Sequence, residues 1–274
     1  MDYIVSSILT QIVLAFGGVF LLGFLIHLSS CFFLTYGDKP GRIVFHITSL
    51  IGTPIHELSH AIMCIVFGHK IKRISLFTGT TDENEPLGYV EHSYNPKNIF
   101  QTVGGFFIGF APLVGGVSLI VLLMHCLIPS VFKEYFQQLG FIPYLSSDFF
   151  SIDTYREIWA FILKLQKIVF AESNYSNVLW WVFIFLSFSI VLHMDLSIDD
   201  LKSGVKGFII TCCLIAVFDF ACFFIRKDII AFFNKLLMIW AITSIGFMSI
   251  VLVFSLGIAL VAFGLGKIKT QIKK

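Results

Sequence analysis

Two histidines four residues apart enclose a glutamate and could bind a metal ion: His56, Glu57 and His60 form an HExxH sequence. On a helix, residues four apart lie on one face, so both imidazoles can bind the same zinc ion. The carboxylate between them can act as a general base toward water. The spacing therefore predicts zinc-dependent hydrolysis, with one zinc ion per chain.

The motif lies in an apolar environment. From Ile43 to His69, the only acidic residue is Glu57. Over all 274 residues, 57% are hydrophobic and 13% are charged, and the mean hydropathy is +0.89. This composition is typical of integral membrane proteins. A zinc site at membrane depth predicts an intramembrane metalloprotease.

Predominantly apolar stretches divide the chain into membrane-crossing segments. A helix that spans a bilayer needs about 20 apolar residues. Six stretches are long enough, and they run from Tyr3 to Gly37, Ile43 to His69, Asn98 to Phe132, Ser173 to Met194, Gly207 to Ile225 and Leu236 to Gly266. We predict an all-α polytopic membrane protein with about six transmembrane helices. It should form a single domain over residues 1–274, with a catalytic core at about 42–206.

The segment between the second and third predicted helices, Lys70 to Lys97, has the character of strands and a turn. Two short pieces rich in β-branched and aromatic residues, Ile71 to Phe77 and Gly88 to His92, flank an acidic turn that contains glycine and proline. This pattern predicts a small β-hairpin.

A second element that does not span the membrane is predicted before the fourth transmembrane helix. In the segment from Glu157 to Glu172, the charged residues Glu157, Lys164 and Lys167 fall on one helical face. The apolar residues lie largely elsewhere, which is typical of a helix that lies along the membrane interface.

The basic residues predict the orientation of the protein in the membrane. Four lysines, at positions 267, 269, 273 and 274, follow the last predicted span closely. Lysines are enriched in cytoplasmic segments, so we predict a multi-pass protein of the cell membrane with both termini in the cytoplasm. For either orientation, six spans place the hairpin loop, the loop of residues 195–206 and the C-terminal tail on one side.

A third zinc ligand should come from outside the HExxH motif, because a catalytic zinc usually has three protein ligands and one position for water. We predict His193, since it lies within an apolar run that ends on the side of the motif and ionisable residues there are functional candidates. Asp200 is the first alternative and Asp195 the second. The spacing of Ser197 and Asp200 also fits a helix cap.

Two polar residues of the predicted hairpin segment are on the same side as the site. His92 ends the second predicted strand, and Asn95 precedes Pro96, where the extended segment stops. We predict that His92 and Asn95 line the path of the substrate.

Composition argues against several other kinds of site. The six cysteines all lie in apolar runs without CxxC spacing, so we expect them to be small packing residues and not disulfides or metal ligands. The net charge is only +2 and the basic residues are scattered, so no nucleic acid partner is expected.

Three sequence features together resemble the site-2 protease family of zinc metalloproteases. They are the motif from Thr53 to Ala61 within a span, the Gly88-Tyr89-Val90 piece after it, and Asn95-Pro96 before the glycine-rich run from Gly104 to Pro112. The similarity covers Arg42 to Gly116.

This resemblance implies that His56 and His60 bind zinc and that Glu57 is the general base. The family's third ligand is an aspartate in an LDG-type motif on a later span. This chain has no such motif, and Met194-Asp195-Leu196 is only loosely similar to it. The chain also has no room for the PDZ or CBS domains of some family members.

The predicted substrate is a membrane protein in the bilayer, with a single spanning helix whose peptide bonds are hydrolysed. Two other classes of function remain. A catalytically inactive relative could bind a membrane protein, although the intact His-Glu-His set of residues speaks against it. A metal or solute transporter could use the same ionisable residues, but no inverted repeat is visible in the sequence.

Overall fold

The computed structural model describes residues 2–36, 38–80, 85–140, 152–194 and 198–272. Most of the described chain is helical, and one small sheet interrupts the helices. The helices are α1 (Asp2–Leu9), α2 (Gly18–Tyr36), α3 (Asp38–Val66), α4 (Ile99–Leu127), α5 (Pro129–Gly140), α6 (Ile152–Val169), α7 (Val178–Leu192), α8 (Ile198–Ile225) and α9 (Lys227–Ile272). A π-helical segment, Thr10–Gly17, joins α1 to α2, and a 3-10 turn, Glu172–Asn174, lies between α6 and α7.

Several helices have the length and composition of membrane spans, as predicted. Within the described ranges, five helical segments are long and apolar enough to cross a membrane: Ile4–Leu28, Arg42–Val66, Ile99–Leu127, Gly204–Ile225 and Asp228–Val253. These segments are consistent with a multi-pass membrane protein.

The predicted fourth span is shorter than its apolar stretch. It corresponds to α7, which has 15 residues and a length of roughly 22 Å, whereas the hydrocarbon core is about 30 Å thick. The helix begins late because Asn177 caps it: the Asn177 Oδ1 atom accepts a hydrogen bond from the Leu179 amide at 3.0 Å. It ends in tight turns, in which the amide of His193 donates to the Ile190 carbonyl.

The predicted β-hairpin is confirmed. Strand β1 (Lys70–Ser75) pairs antiparallel with β2 (Tyr89–Ser93), and a register shift falls between Ile71 and Arg73. Gly68 turns the chain from α3 into β1 with φ of 68°, a conformation that glycine adopts without strain. Its neighbour His69 donates from its amide to the Cys64 carbonyl at 2.8 Å, which completes a Schellman-type helix end.

Two amphipathic helices occupy the long connection before α7. Helix α6 covers most of the predicted interfacial segment, and α5 was not predicted. Every fourth residue of α5 is buried, namely Val131, Tyr135 and Leu139. This spacing gives α5 a continuous apolar face.

The chain forms two compact units. The first, here called the site unit, contains Leu22–Ile120, Phe185–Gly207 and Met248–Lys274. It includes α3, the hairpin, most of α4 and the end of α7. The second unit contains Met1–Leu21, Val121–Ile184 and Phe208–Phe247. Buried residues of the site unit include Cys64, Phe106, Phe110 and Leu113.

Candidate metal centre

The two motif histidines face each other across one turn of α3. The Nε2 atoms of His56 and His60 are 3.0 Å apart. Two nitrogen ligands of a tetrahedral zinc ion, each about 2.0–2.1 Å from the metal, are separated by roughly 3.3 Å. The pair therefore has nearly the spacing that a shared zinc ion requires.

The remaining nitrogen of each ring is held by a backbone carbonyl. His56 Nδ1 lies 2.7 Å from the His193 oxygen, and His60 Nδ1 lies 2.7 Å from the Ile108 oxygen. A carbonyl oxygen only accepts hydrogen bonds, so each Nδ1 must carry the hydrogen. In neutral rings both Nε2 atoms then present lone pairs to each other. Two lone pairs at this distance repel each other unless a proton or a metal cation lies between them, and a ring whose Nδ1 is bound to a carbonyl is typical of histidines that bind metals.

The sequence of α4 explains why the Ile108 carbonyl can accept this bond. In a regular helix that carbonyl would accept from the amide four residues later. That residue is Pro112, which lies inside α4 and has no amide hydrogen. The proline therefore leaves the Ile108 carbonyl available to His60.

Glycines bring α4 close enough to α3 for this contact. A Cβ atom added at Gly104 would collide with Phe67, and one added at Gly115 would collide with the Ser59 side chain. These two glycines lie on either side of Ile108 in the sequence. Close approach of the helices therefore positions the carbonyl that orients His60.

Glu57 lies beneath the start of strand β2. Its residue exposure is 8%, so it is buried. A Cβ atom at Gly88 would lie 2.7 Å from Glu57 Cγ and 3.0 Å from the Leu76 oxygen. Only a glycine fits here without movement, so the hairpin lies directly against the side chain of Glu57, the predicted general base.

The structure brings His193 to the site through its backbone. Its carbonyl binds His56, while its ring lies against an earlier part of α3: Nε2 is 3.1 Å from the Thr48 hydroxyl. A Cβ atom at Gly52 would lie 2.6 Å from Cδ2 of the same ring. The role of the His193 ring as third ligand stays a prediction.

The alternative ligands are only partly covered by the structure. Asp195 lies outside the described residues. Asp200 is in the first turn of α8, and its side chain is also outside what is described. Among the described residues, no three His, Cys, Asp or Glu side chains are grouped so that they could hold a metal ion. Within this part of the chain, the side chains of His56 and His60 are thus brought together without that of His193.

His92 and Asn95 lie where the hairpin meets α4. His92 Nδ1 is 3.1 Å from His69 Nδ1, and His69 Nε2 is 2.7 Å from the Gln101 oxygen. The Asn95 amide donates to the Gln101 side chain at 2.7 Å. These bonds join the hairpin to α4, and the predicted contact of His92 and Asn95 with substrate stays a prediction.

Sequence reasoning did not identify the Ile108 carbonyl, Pro112 or Gly88 as parts of the centre. A proline inside an apolar helix marks a carbonyl four residues earlier that lacks its helical partner. That signal was present at Pro112. The partner, His60, is a long-range contact that spacing alone does not reveal.

The fold and the centre together are consistent with one class: a multi-pass membrane protein with a His-Glu-His set of residues on a candidate spanning helix. Comparisons of the chain with protein-family models, with curated proteins and with solved structures found no match.

Proposed function

We propose that this chain is an intramembrane zinc metalloprotease that hydrolyses peptide bonds of membrane-embedded protein substrates. The observation that carries the proposal is the pair of facing Nε2 atoms, 3.0 Å apart, in rings whose Nδ1 atoms are both bound to carbonyls. The resemblance of residues 42–116 to the site-2 protease family supports the same function.

The residues present fit a zinc ion. His56 and His60 would hold it through nitrogens of the type that zinc prefers, and the His193 and Ile108 carbonyls fix their orientation. We propose His193 as the third ligand, with Asp200 and then Asp195 as alternatives. When bound, zinc supplies Lewis acidity for the attack of water on a peptide carbonyl.

Glu57 would move the proton. Its carboxylate takes a proton from the attacking water and delivers it to the nitrogen of the leaving amine. Burial of Glu57 under Gly88 limits the directions from which water and substrate can approach the carboxylate.

The substrate in this proposal is a single spanning helix. Its carbonyls are engaged in its own hydrogen bonds, so it must unwind before attack. An edge of the two-stranded sheet could hold the unwound segment by strand addition. His92 and Asn95, at the end of the hairpin, would line this path.

The proposed topology has six crossings. Helix α7 would be a short fourth crossing, with Trp180 and Trp181 near the headgroups at its start. Helix α6 would lie along the membrane interface, because it has a buried face with Ile162 and Leu165 and an exposed charged face. Both termini would be in the cytoplasm of the cell.

Replacement of the proposed general base tests the function. In co-expression with candidate single-span membrane proteins, Glu57→Gln should abolish cleavage, since glutamine keeps the shape of glutamate but cannot take the proton. Zinc content, measured on the purified protein, should stay at the wild-type value. Cleaved and intact substrate are compared on immunoblots.

Glu134→Gln is the matched control, because Glu134 is an exposed glutamate of α5, outside the site unit and the proposed substrate path. It should cleave at the wild-type rate. Undiminished cleavage by Glu57→Gln would disprove the role of Glu57. If the wild-type protein binds zinc but cleaves none of the candidate substrates, the result would favour an inactive relative or a transporter.

A further inference from the structure

A carboxylate is buried among candidate spans of the second unit. Asp219, on α8, has 0% exposure and lies within the candidate span Gly204–Ile225. No cation among the described residues forms a salt bridge with it. Ionisable residues at membrane depth are costly and usually functional. An ionised carboxylate at this position would need a cationic partner.

Three neutral polar residues from other segments surround this carboxylate. The Ser7 hydroxyl of α1 donates to Asp219 Oδ2 at 2.8 Å. Asn234, on α9, donates from its amide to Ser7 Oγ at 2.9 Å. Gln11, in the π-helical segment, reaches both carboxylate oxygens. The cluster thus joins residues from three candidate spans within one compact unit.

The nitrogen of Gln11 lies at the centre of this cluster and has more acceptors around it than hydrogens to donate. Gln11 Nε2 lies 2.7 Å from Asn234 Oδ1, 3.0 and 3.1 Å from the two Asp219 oxygens, and 3.3 Å from Ser7 Oγ. An amide group has only two hydrogens. Four oxygens around one such point resemble the oxygen shell of a hard cation.

Rotation of one side chain would open this shell to a cation. A flip of the Gln11 amide exchanges its nitrogen for its oxygen, so that Oε1 becomes a further ligand. Gln11 lies in the π-helical segment Thr10–Gly17, and π-helical turns inside α-helices often occur at functional sites. The amide nitrogen and a bound cation would then be alternative occupants of one position.

The charge of the cluster selects a monovalent ion. One carboxylate and three neutral side chains carry a single negative charge, which one monovalent cation neutralises. A divalent ion would leave an uncompensated positive charge at membrane depth, which is unfavourable. We propose that Ser7, Gln11, Asp219 and Asn234 form a binding site for one alkali-metal cation, with Gln11 Oε1 facing the bound ion.

Thermal unfolding of the purified full-length protein tests this site without reference to proteolysis. Unfolding is followed in sodium chloride or potassium chloride, with N-methylglucamine chloride replacing either salt at constant ionic strength. A cation that binds only the folded state raises the Tm with a saturable dependence on its concentration. We expect this rise for wild type, and the two salts identify the preferred ion.

Variants assign the effect to the cluster. Asp219→Asn should abolish the cation-dependent rise in Tm, whereas Asp153→Asn, which alters an exposed acid, should retain it. Should Asp219→Asn fail to fold, Ser7→Ala and Asn234→Ala each remove one oxygen and should raise the cation concentration at half-saturation by about tenfold. The proposal is overturned if wild type shows no saturable rise, or if the cluster variants retain the wild-type dependence. Either result would indicate that the cluster only connects the helices through hydrogen bonds.

Discussion

At the scale of single residues, the candidate centre depends on which nitrogen of each histidine carries hydrogen. The carbonyls of His193 and Ile108 place that hydrogen on Nδ1 of His56 and His60, so that the two Nε2 atoms face each other at the proposed zinc site. The pairing of the two histidines around Glu57 could be predicted from the sequence, because residues i and i+4 are neighbours in any helix. The carbonyl partners could not be predicted, since they depend on contacts 137 and 48 residues apart in the sequence.

The third ligand can be identified by comparison of two alanine variants. His193→Ala should weaken zinc binding far more than Asp200→Ala, because loss of a ligand removes a bond to the metal. Loss of a helix cap costs only about 0.5–2 kcal/mol of stability and leaves the metal bound. Zinc affinity is measured by competition with a chelator.

The backbone contact makes this comparison informative. The His193 carbonyl that binds His56 persists in His193→Ala, so a loss of zinc reports on the ring itself. The opposite ranking of the two variants would assign the third position to Asp200. If both variants bind zinc with wild-type affinity, Asp195 would be the remaining candidate for the third ligand.

At the scale of elements, the hairpin and α4 complete the centre that α3 begins. The hairpin was predicted from its β-branched pieces and its turn, and it places Gly88 over Glu57. Helix α4 was predicted as an apolar span, but its role in orienting His60 arises from packing against α3. Helix α5 was not predicted, because its apolar face has only three buried residues in a mixed segment.

Pro112 provides a test of the role of α4. In Pro112→Ala, the new amide competes with His60 for the Ile108 carbonyl, so we expect the zinc affinity to fall by about tenfold, as for other partners of metal-binding histidines. The helix itself gains a hydrogen bond, so the Tm of the zinc-free protein should stay the same or rise. Calorimetry and chelator competition measure the two quantities.

Pro129→Ala is a suitable control, because Pro129 is at the first position of α5, where its missing amide hydrogen has no helical role. Its zinc affinity should equal that of wild type. A Pro112→Ala protein with unchanged zinc affinity would show that the Ile108 carbonyl does not orient a zinc ligand.

At the scale of the whole molecule, composition predicted a multi-pass helical membrane protein, which the candidate spans support. The number of crossings depends on α7, which is shorter than the apolar stretch that contains it. Hydrophobicity averaged over a stretch neither finds a cap such as Asn177 nor reveals a single buried acid. Asp219 lies inside the fifth predicted span, and its burial depends on long-range contacts with other helices.

Labelling of single cysteines can determine whether α7 crosses the membrane. In a cysteine-free background, cysteines at Thr80, Lys202 and Lys273 should react with an impermeant maleimide from one side. A cysteine at Lys133 should react from the other side. Six crossings require this pattern, because Thr80 and Lys202 are then separated by an even number of spans. Reaction of Thr80 and Lys202 from opposite sides would mean that α7 does not cross.

Zinc X-ray absorption of the purified full-length protein tests the central claim most directly. We predict about one zinc ion per chain with imidazole nitrogens at about 2.0–2.1 Å, and loss of this signal in the His56→Ala/His60→Ala double variant. A folded double variant that keeps the same zinc signal, or a wild-type protein reconstituted with zinc that shows no imidazole ligands, would contradict the account.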